Sequence, residues 1–279
     1  AAQVDDVRAM DAHELGRQQH RERGERFVVQ AGGAVVEVEL GVVVGGGDVV
    51  HALDRDQLDA VGAVLNPPNA GVVDVVVLAV KPQTYPSVFE SVRPFVGENT
   101  CVMSVMAGVT IEMLSRDLGA KRVVRCMPNT PARIGKGITA YVASQACTPE
   151  DRRLIEQLLA PLGAVEPIAA ERLMDVVTAV SGSGPAYVFL LAEVLAAAAE
   201  QEGIDKDAAM RLATCTVAGA GALMLETGDS ASTLRKQVTS PGGTTEAALD
   251  VLGAADGLGQ LLRRAVSAAA KRSRELGKS

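Results

Sequence analysis

The sequence predicts an α/β domain followed by an all-helical domain. Two observations support this fold class. Between Val72 and Val142, short apolar and β-branched runs alternate with helix signals, which is typical of an α/β domain. After about Ala169, Ala, Leu, Glu and Met dominate at helical spacing and strand runs disappear. We therefore predict a domain of residues 1–168 and a helical domain of residues 169–279.

The strands of the first domain are predicted from its apolar runs. The run Val72–Val80 is almost continuously β-branched and ends at Lys81-Pro82, so we expect a strand buried on both faces of a parallel sheet. Further strands are predicted at Cys101–Val105, Arg122–Cys126 and Gly137–Val142.

Two helices of this domain have recognisable start signals. Thr110 is expected to cap a helix that runs to a stop at Gly119. Thr148-Pro149-Glu150 supplies an N-cap, a proline in the first turn and an early carboxylate for another helix.

The second domain begins with two long alanine-rich segments. Pro185–Glu202 is stopped by Gly203, and Asp205–Glu226 contains the small residues 218–221 that permit close helix contact. Because both segments are apolar on more than one face, we expect them to be buried in a homodimer interface.

Composition limits the function classes. The formal charge is −7 and the sequence has no basic block, so nucleic acid is not an expected partner. No stretch of about 18 uninterrupted apolar residues occurs, and we expect a cytoplasmic protein without membrane contact. Its four cysteines lack C-x-x-C spacing, which favours reduced, buried thiols over disulfides or a metal site.

The first 65 residues have an anomalous composition. They contain no Ile, Lys, Ser, Thr, Asn, Pro, Cys, Tyr or Trp, and apart from Met10 and Phe27 every residue can be encoded by a codon starting with G or C. A GC-rich gene read in a shifted frame would give this pattern. Our hypothesis is an out-of-frame translation, and the alternative is a genuine, divergent N-terminus.

This segment is also where a dinucleotide-binding domain of the Rossmann type would carry G-x-G-x-x-G. No such motif is present; Gly45-Gly46-Gly47 is more typical of a turn than of a phosphate cradle. The histidines His13, His20 and His51 all lie here, so the remainder offers none for catalysis or metal binding. A defective cofactor cleft is the expected consequence of a non-native segment.

Three motifs follow predicted strands, where ligands bind in open α/β sheets. They are L-A-V-K-P-Q at residues 78–83, S-V-M-A-G at 104–108 and R-C-M-P-N-T-P at 125–131. Lys81 could face a cofactor or be a solvated surface group. The small residues of the second motif would let a flat ring approach the backbone, and the two prolines of the third make either an ordinary turn or a stiff loop that positions donors.

Two further motifs precede helices. S-G-S-G-P-A-Y at residues 181–187 could cap a helix or bind an anion. T-S-P-G-G-T-T-E at residues 239–246 could be an elaborate N-cap, or its exposed N–H groups and the helix dipole could hold a small carboxylate.

The order and spacing of these motifs resemble those of the pyrroline-5-carboxylate reductase family from about Val75 to the C-terminus. The resemblance implies a Rossmann-type domain, a helical dimerisation domain whose partner completes the active site, and a possible ring of dimers. It also implies NADPH or NADH as hydride donor; the residue that would distinguish them lies in the anomalous segment.

The resemblance also implies site residues. Thr245 would bond the substrate's ring nitrogen as the catalytic hydroxyl, within a substrate site formed by Ser240, Gly242, Gly243, Thr244 and Thr245. The implied cofactor contacts are Ala79, Val80, Lys81, Pro82, Ala107, Gly108 and Asn129.

The implied reaction is hydride transfer to the imine carbon of (S)-1-pyrroline-5-carboxylate, which becomes C5 of L-proline, in the last step of proline biosynthesis. A cyclic imine is already electrophilic, so orientation can supply much of the acceleration. Two alternatives remain open: a related hydroxyacid or imine reductase, and an oligomerising homologue without a competent cofactor site.

Overall fold

The computed structural model describes residues 71–277 and, in the N-terminal segment, the backbone of three strands: β1 (Phe27–Ala31), β2 (Ala34–Val38) and β3 (Ala63–Leu65). Met10, Gly45-Gly46-Gly47 and the three histidines lie outside the described residues.

The described strands form an eight-stranded mixed sheet with the order β3-β2-β1-β4-β5-β6-β7-β8. Strands β1, β4, β5 and β6 run parallel, whereas β7 is antiparallel to β6. The strands after β3 are β4 (Val75–Ala79), β5 (Cys101–Ser104), β6 (Arg122–Met127), β7 (Gly137–Ala143) and β8 (Gly163–Pro167). The α/β prediction is confirmed, and β4 is fully buried as its β-branched run indicated.

Helices cover both faces of this sheet. They are α1 (Tyr85–Val92), α2 (Ile111–Leu118) and α3 (Pro149–Leu159). Leu114 of α2 packs in one buried cluster with Val76, and Ile155 of α3 packs in another with Val77. Because neighbouring residues of β4 point to opposite faces, one strand contributes to both clusters.

The predicted helix signals are confirmed in detail. The Thr110 hydroxyl accepts the N–H of Met113, and α2 ends at Gly119 in the left-handed conformation with φ of 72°. Thr148 and Asp151 form a reciprocal capping box at the start of α3.

Two features of the sheet were not predicted from the sequence. Strand β8 was missed, because its residues G-A-V-E-P show only a weak alternation of apolar and polar side chains and end in proline. Strands β1 and β2 pair antiparallel, with two residues between Ala31 and Ala34. A dinucleotide-binding sheet would instead have a helix after its first strand and a parallel second strand.

The helices of the C-terminal half follow the predicted pattern. A short helix, α4 (Met174–Val177), continues into a π-helical turn at Thr178–Gly182. The remaining helices are α5 (Gly184–Gln201), α6 (Lys206–Thr227), α7 (Ala231–Gln237), α8 (Thr244–Leu252) and α9 (Leu258–Leu276).

The chain divides into two compact units. Residues up to Gly182 and from Lys271 onward form the first, and Ser183–Ala270 form the second. The boundary between residues 168 and 169 stays a prediction. Within the second unit, α5 and α6 pack through Ala196, Ala209 and Ala213, while most of their larger apolar side chains are exposed.

Candidate active site

Three predicted cofactor segments meet at one edge of the sheet. Strands β4, β5 and β6 are parallel, and Leu78 lies beside Ser104, which in turn lies beside Arg125. Their carboxyl ends therefore open at the same edge, which is where open α/β sheets bind ligands.

The first segment follows β4. Ala79 and Val80 are buried, whereas Lys81 is exposed and Pro82 is half-buried. Val80 packs in the same buried cluster as Leu78, so its side chain points into the core and not to the sheet edge. The Lys81 carbonyl accepts a hydrogen bond of 2.8 Å from the N–H of Thr84, and this tight turn leads the chain into α1.

The second segment is the loop Val105–Thr110 between β5 and α2. The buried Ser104 hydroxyl accepts the N–H of Met106 at 3.2 Å, which fixes the start of this loop. Gly108 has φ of +80°, and a Cβ there would lie 3.0 Å from the backbone of Gly277. Glycine is thus required at position 108 both by its conformation and by the close approach of the C-terminal residues.

The third segment follows β6 and carries Asn129. Its side-chain oxygen accepts the N–H of Ile138 at 3.0 Å, and its carbonyl accepts the N–H of Ala132 at 3.0 Å. The amide therefore braces the loop against β7. The sequence predicted either an ordinary turn or a stiff loop that positions hydrogen-bond donors, and the geometry is compatible with both.

An ion pair beside the loop was missed by sequence reasoning. Arg125 Nη1 lies 2.7 Å from Glu171 Oε1, and the same oxygen accepts the N–H of Ile111 at 2.8 Å. The signal was present, because an arginine inside the apolar strand run R-V-V-R-C-M needs a buried acceptor.

The predicted substrate loop leads into α8. Gly242 adopts φ of +69°, and Gly243 is the N-cap of α8 without a side-chain cap bond. Thr244, Thr245 and Glu246 then occupy the first turn, where backbone N–H groups have no intrahelical acceptor. The Glu246 carboxylate accepts the N–H of Gly242 at 2.7 Å, so the chain's own carboxylate occupies one donor of this loop.

The S-G-S-G-P-A-Y motif forms a π-helical turn and the start of α5. A Cβ on Gly182 would lie 2.6 Å from the methyl group of Met127, so the glycine lets the π-helical turn approach the end of β6. The Ser181 hydroxyl oxygen is buried and has no partner among the described residues. Pro185 lies in the first turn of α5, as predicted.

The described residues contain no cluster of His, Cys, Asp and Glu that could hold a metal ion. Cys101, Cys126 and Cys147 are free and buried, as predicted. Cys215, on α6, is free but exposed, so the prediction that all four thiols are buried is wrong for this residue in the single chain. Burial raises the pKa of the Cys126 thiol, so this group resists ionisation.

Comparison with known proteins decides the family. A family model for pyrroline-5-carboxylate reductase dimerisation matches residues 171–276. The pyrroline-5-carboxylate reductase of Glycine max is 39 % identical over 225 residues, which cover 80 % of this chain and 81 % of the relative. The chain belongs to the pyrroline-5-carboxylate reductase family. The resemblance inferred from the motifs is thereby confirmed.

Solved structures of this family have the same fold. The chain matches a pyrroline-5-carboxylate reductase from Coxiella burnetii with a TM-score of 0.70 and 41 % identity, over 74 % of this chain and 77 % of that one. It also matches Plasmodium falciparum pyrroline carboxylate reductase with NADP bound, with a TM-score of 0.65 and 29 % identity, over 74 % and 78 % of the two chains.

The family match also bears on two apolar helical stretches. Glu171–Gln201 and Lys206–Thr227 are long and apolar enough to cross a membrane by length and composition alone, each with a mean hydropathy of 1.4. Both lie within the region that the dimerisation model matches. Association with a second subunit therefore accounts for their apolar surfaces.

Proposed function

We propose that this chain reduces (S)-1-pyrroline-5-carboxylate to L-proline with NADPH or NADH, the last step of proline biosynthesis. The observation that carries the proposal is the S-P-G-G-T-T loop at the start of α8, in a chain that belongs to the reductase family. A small carboxylate suits this loop because its donors are backbone N–H groups at the positive end of a helix dipole.

The described residues fit the nicotinamide half of a dinucleotide. When bound, the reduced nicotinamide supplies the hydride that the imine carbon accepts; this atom is C2 of the pyrroline and becomes C5 of proline. The backbone of Ala79 and Val80, together with the Lys81-Pro82 turn, lines one side of the sheet edge. The half-buried Ala107 offers a surface without a large side chain, Gly108 lies beside it against Gly277, and the Asn129 amide can donate a hydrogen bond there.

Thr245 holds the ring nitrogen in this proposal. Its hydroxyl accepts a hydrogen bond from the protonated imine, which is the more electrophilic form, and donates a hydrogen bond to the amine that results. Ser240, Gly242, Gly243 and Thr244 fix the carboxylate through hydroxyl and backbone donors. No strong acid is required, because orientation of an electrophilic imine supplies much of the acceleration.

For the substrate to bind at this loop, the Glu246 carboxylate must release its hydrogen bond from the N–H of Gly242. This carboxylate holds the N–H of Gly242, and an incoming substrate carboxylate competes for that group. Since Glu246 is exposed, water can solvate its displaced carboxylate, and the free-energy cost of the displacement is small.

The proposed assembly is a homodimer, with a ring of dimers as its larger form. Support comes from the dimerisation match and from the exposed apolar side chains of α5 and α6. We place the protein in the cytoplasm, where the free thiols Cys101, Cys126 and Cys147 stay reduced.

A second candidate function is an oligomerising homologue with an impaired cofactor site. The antiparallel pairing of β1 with β2 favours it, because in the described residues strand β2, and not a helix with an N-terminus for the pyrophosphate, follows β1. An out-of-frame segment 1–65 is our proposed cause of that arrangement.

Isotope transfer tests the reductase function. The chain is incubated with pyrroline-5-carboxylate and NADPH deuterated at the transferable position, and the product is analysed by mass spectrometry. L-proline carrying one deuterium at C5 is expected. A chain that binds NADPH but yields no labelled proline would contradict the proposed substrate and point to a related imine or hydroxyacid reductase. A chain that does not bind NADPH would favour the second candidate.

A further inference from the structure

One carboxylate oxygen connects the sheet to the end of the Val105–Thr110 loop. Glu171 Oε1 accepts a hydrogen bond from Arg125 Nη1 at 2.7 Å and one from the N–H of Ile111 at 2.8 Å. Arg125 belongs to β6, and Ile111 is the first residue after the loop. The loop's end is therefore fixed to the middle of the sheet.

The start of the loop is fixed to the same row of the sheet. Ser104 bonds the N–H of Met106, and Ser104 lies beside Arg125 in the parallel register of β5 and β6. The middle of the loop is covered, since Gly108 lies against the backbone of Gly277. Both ends and the middle of the loop thus have a defined contact within one compact unit.

The ion pair is better suited to fixing geometry than to adding stability. Arg125 is 7 % exposed, and its Nε has no hydrogen-bond partner among the described residues. A buried pair with an unsatisfied donor carries a desolvation cost that its attraction barely offsets, and apolar residues of similar volume often stabilise a fold as well or better. Apolar side chains, however, cannot accept a hydrogen bond from the Ile111 N–H.

We propose that Arg125 and Glu171 are positioning residues that hold the Val105–Thr110 loop for the nicotinamide. Arg125 orients the Glu171 carboxylate, and Glu171 fixes the backbone of Ile111, so that the half-buried Ala107 presents its backbone to the ring beside the buried Gly108. Neither side chain needs to touch the reacting atoms. This inference rests on the proposed reductase function, because that function gives the loop its ligand.

The test replaces the pair with apolar residues in the full chain. Arg125→Met combined with Glu171→Leu keeps similar volumes and leaves no buried charge unpaired, so folding is expected to persist. Hydrogen exchange of the Ile111 amide should become faster. The KM for NADPH should rise and kcat/KM for NADPH should fall on the order of 10- to 100-fold, as expected when a reacting group is misplaced. The KM for the imine should stay at the parent value.

Two further variants separate positioning from stability. Lys121→Met with Glu98→Leu removes an exposed ion pair, with a 3.1 Å separation, from the same unit, and should leave both KM values and Ile111 exchange unchanged. Glu171→Gln retains an oxygen acceptor and should keep the KM for NADPH close to that of the parent, even if the double variant unfolds.

An unchanged KM for NADPH and unchanged Ile111 exchange in the folded apolar double variant would overturn the proposal. So would a Glu171→Gln variant with a strongly raised KM but normal Ile111 protection. A parent chain without reductase activity would count against the proposed function, while the exchange comparison would still decide whether the pair holds the loop.

Discussion

At the scale of single residues, the hydroxyl of Thr245 is the group assigned to the reacting ring. Thr245→Val removes the hydroxyl and keeps the shape of the side chain, so turnover should fall about 10- to 1000-fold, the range expected when a single transition-state hydrogen bond is lost. NADPH affinity should not change. Steady-state kinetics and a cofactor titration measure both quantities.

Thr245→Ser is the matched control for that substitution. It keeps the hydroxyl and should retain most of the turnover. A Thr245→Val enzyme with full activity would exclude the assigned role.

The buried thiol of Cys126 makes a prediction about alkaline pH. Burial raises its pKa in the folded state, so the unfolded chain loses this proton first, above about pH 8.5. The stability contribution is complete below that pH and declines above it, by about 1.4 kcal/mol per pH unit for one such thiol. Cys126→Ala should therefore flatten the decline in the free energy of unfolding between about pH 8.5 and 10.5.

Val124→Ala is the control for the cavity that Cys126→Ala creates. Val124 lies in the same strand and the same buried cluster, and its truncation should lower stability without changing the slope against pH. Urea unfolding at several pH values gives both slopes. Equal slopes for Cys126→Ala and the parent would contradict the prediction.

Residues differ in how far their roles could be predicted from sequence. The caps Thr110 and Thr148 were predictable because capping depends on neighbours in the chain. The partners of Glu171 and Asn129 were not, because Arg125 and Ile111 are 46 and 60 residues away from Glu171, and because β7 had to fold back before Asn129 could reach Ile138. Long-range contacts of this kind follow from topology.

At the scale of elements, Gly108 of the Val105–Thr110 loop is required both by its backbone conformation and by its packing. Gly108→Ala would strain the left-handed backbone and place a Cβ 3.0 Å from Gly277. The backbone strain alone costs about 1–2 kcal/mol. We expect a larger loss of stability than that, with a raised KM for NADPH.

Gly119→Ala is the matched control for this element. Gly119 also has positive φ, of 72°, but a Cβ there would meet nothing within 4 Å. Its substitution should cost only the backbone strain and leave cofactor kinetics unchanged. Similar unfolding temperatures and KM values for the two variants would contradict the assigned contact.

Element prediction succeeded where local signals were strong. Strand β4 and the helices α2, α3, α5 and α6 were predicted within a few residues, because their apolar runs, caps and glycine stops are explicit. Strand β8 has no comparable signal; its pairing with β7 supplies the stabilisation. The pairing of β1 with β2 departs from the family plan, and it lies in the segment whose composition differs from the rest.

At the scale of the whole molecule, the helical unit requires a partner. Phe189 is 58 % exposed, Leu212 is 56 % exposed and Leu225 is 81 % exposed in a single chain. Phe189→Glu combined with Leu212→Glu should weaken or abolish a dimer, because charges at the centre of an apolar interface lack partners. Analytical ultracentrifugation in detergent-free buffer measures the change.

Lys206→Glu is the control for added negative charge, since Lys206 lies at the exposed start of α6. It should sediment as the parent does. A double variant that still sediments with the parent, or a parent that stays in solution only with detergent, would contradict dimerisation through α5 and α6.

The most direct test is the rate of NADPH oxidation with pyrroline-5-carboxylate, measured for this chain beside a version with residues 1–65 restored to the alternative reading frame. Imine-dependent oxidation is expected from both, and at a higher rate from the restored version, because the antiparallel pairing of β1 with β2 replaces the helix that would follow the first strand of a dinucleotide-binding sheet. Equal activity of both would show that this segment forms a working cofactor site and would refute the frame hypothesis. No imine-dependent NADPH oxidation by either version would contradict the assignment of pyrroline-5-carboxylate as substrate.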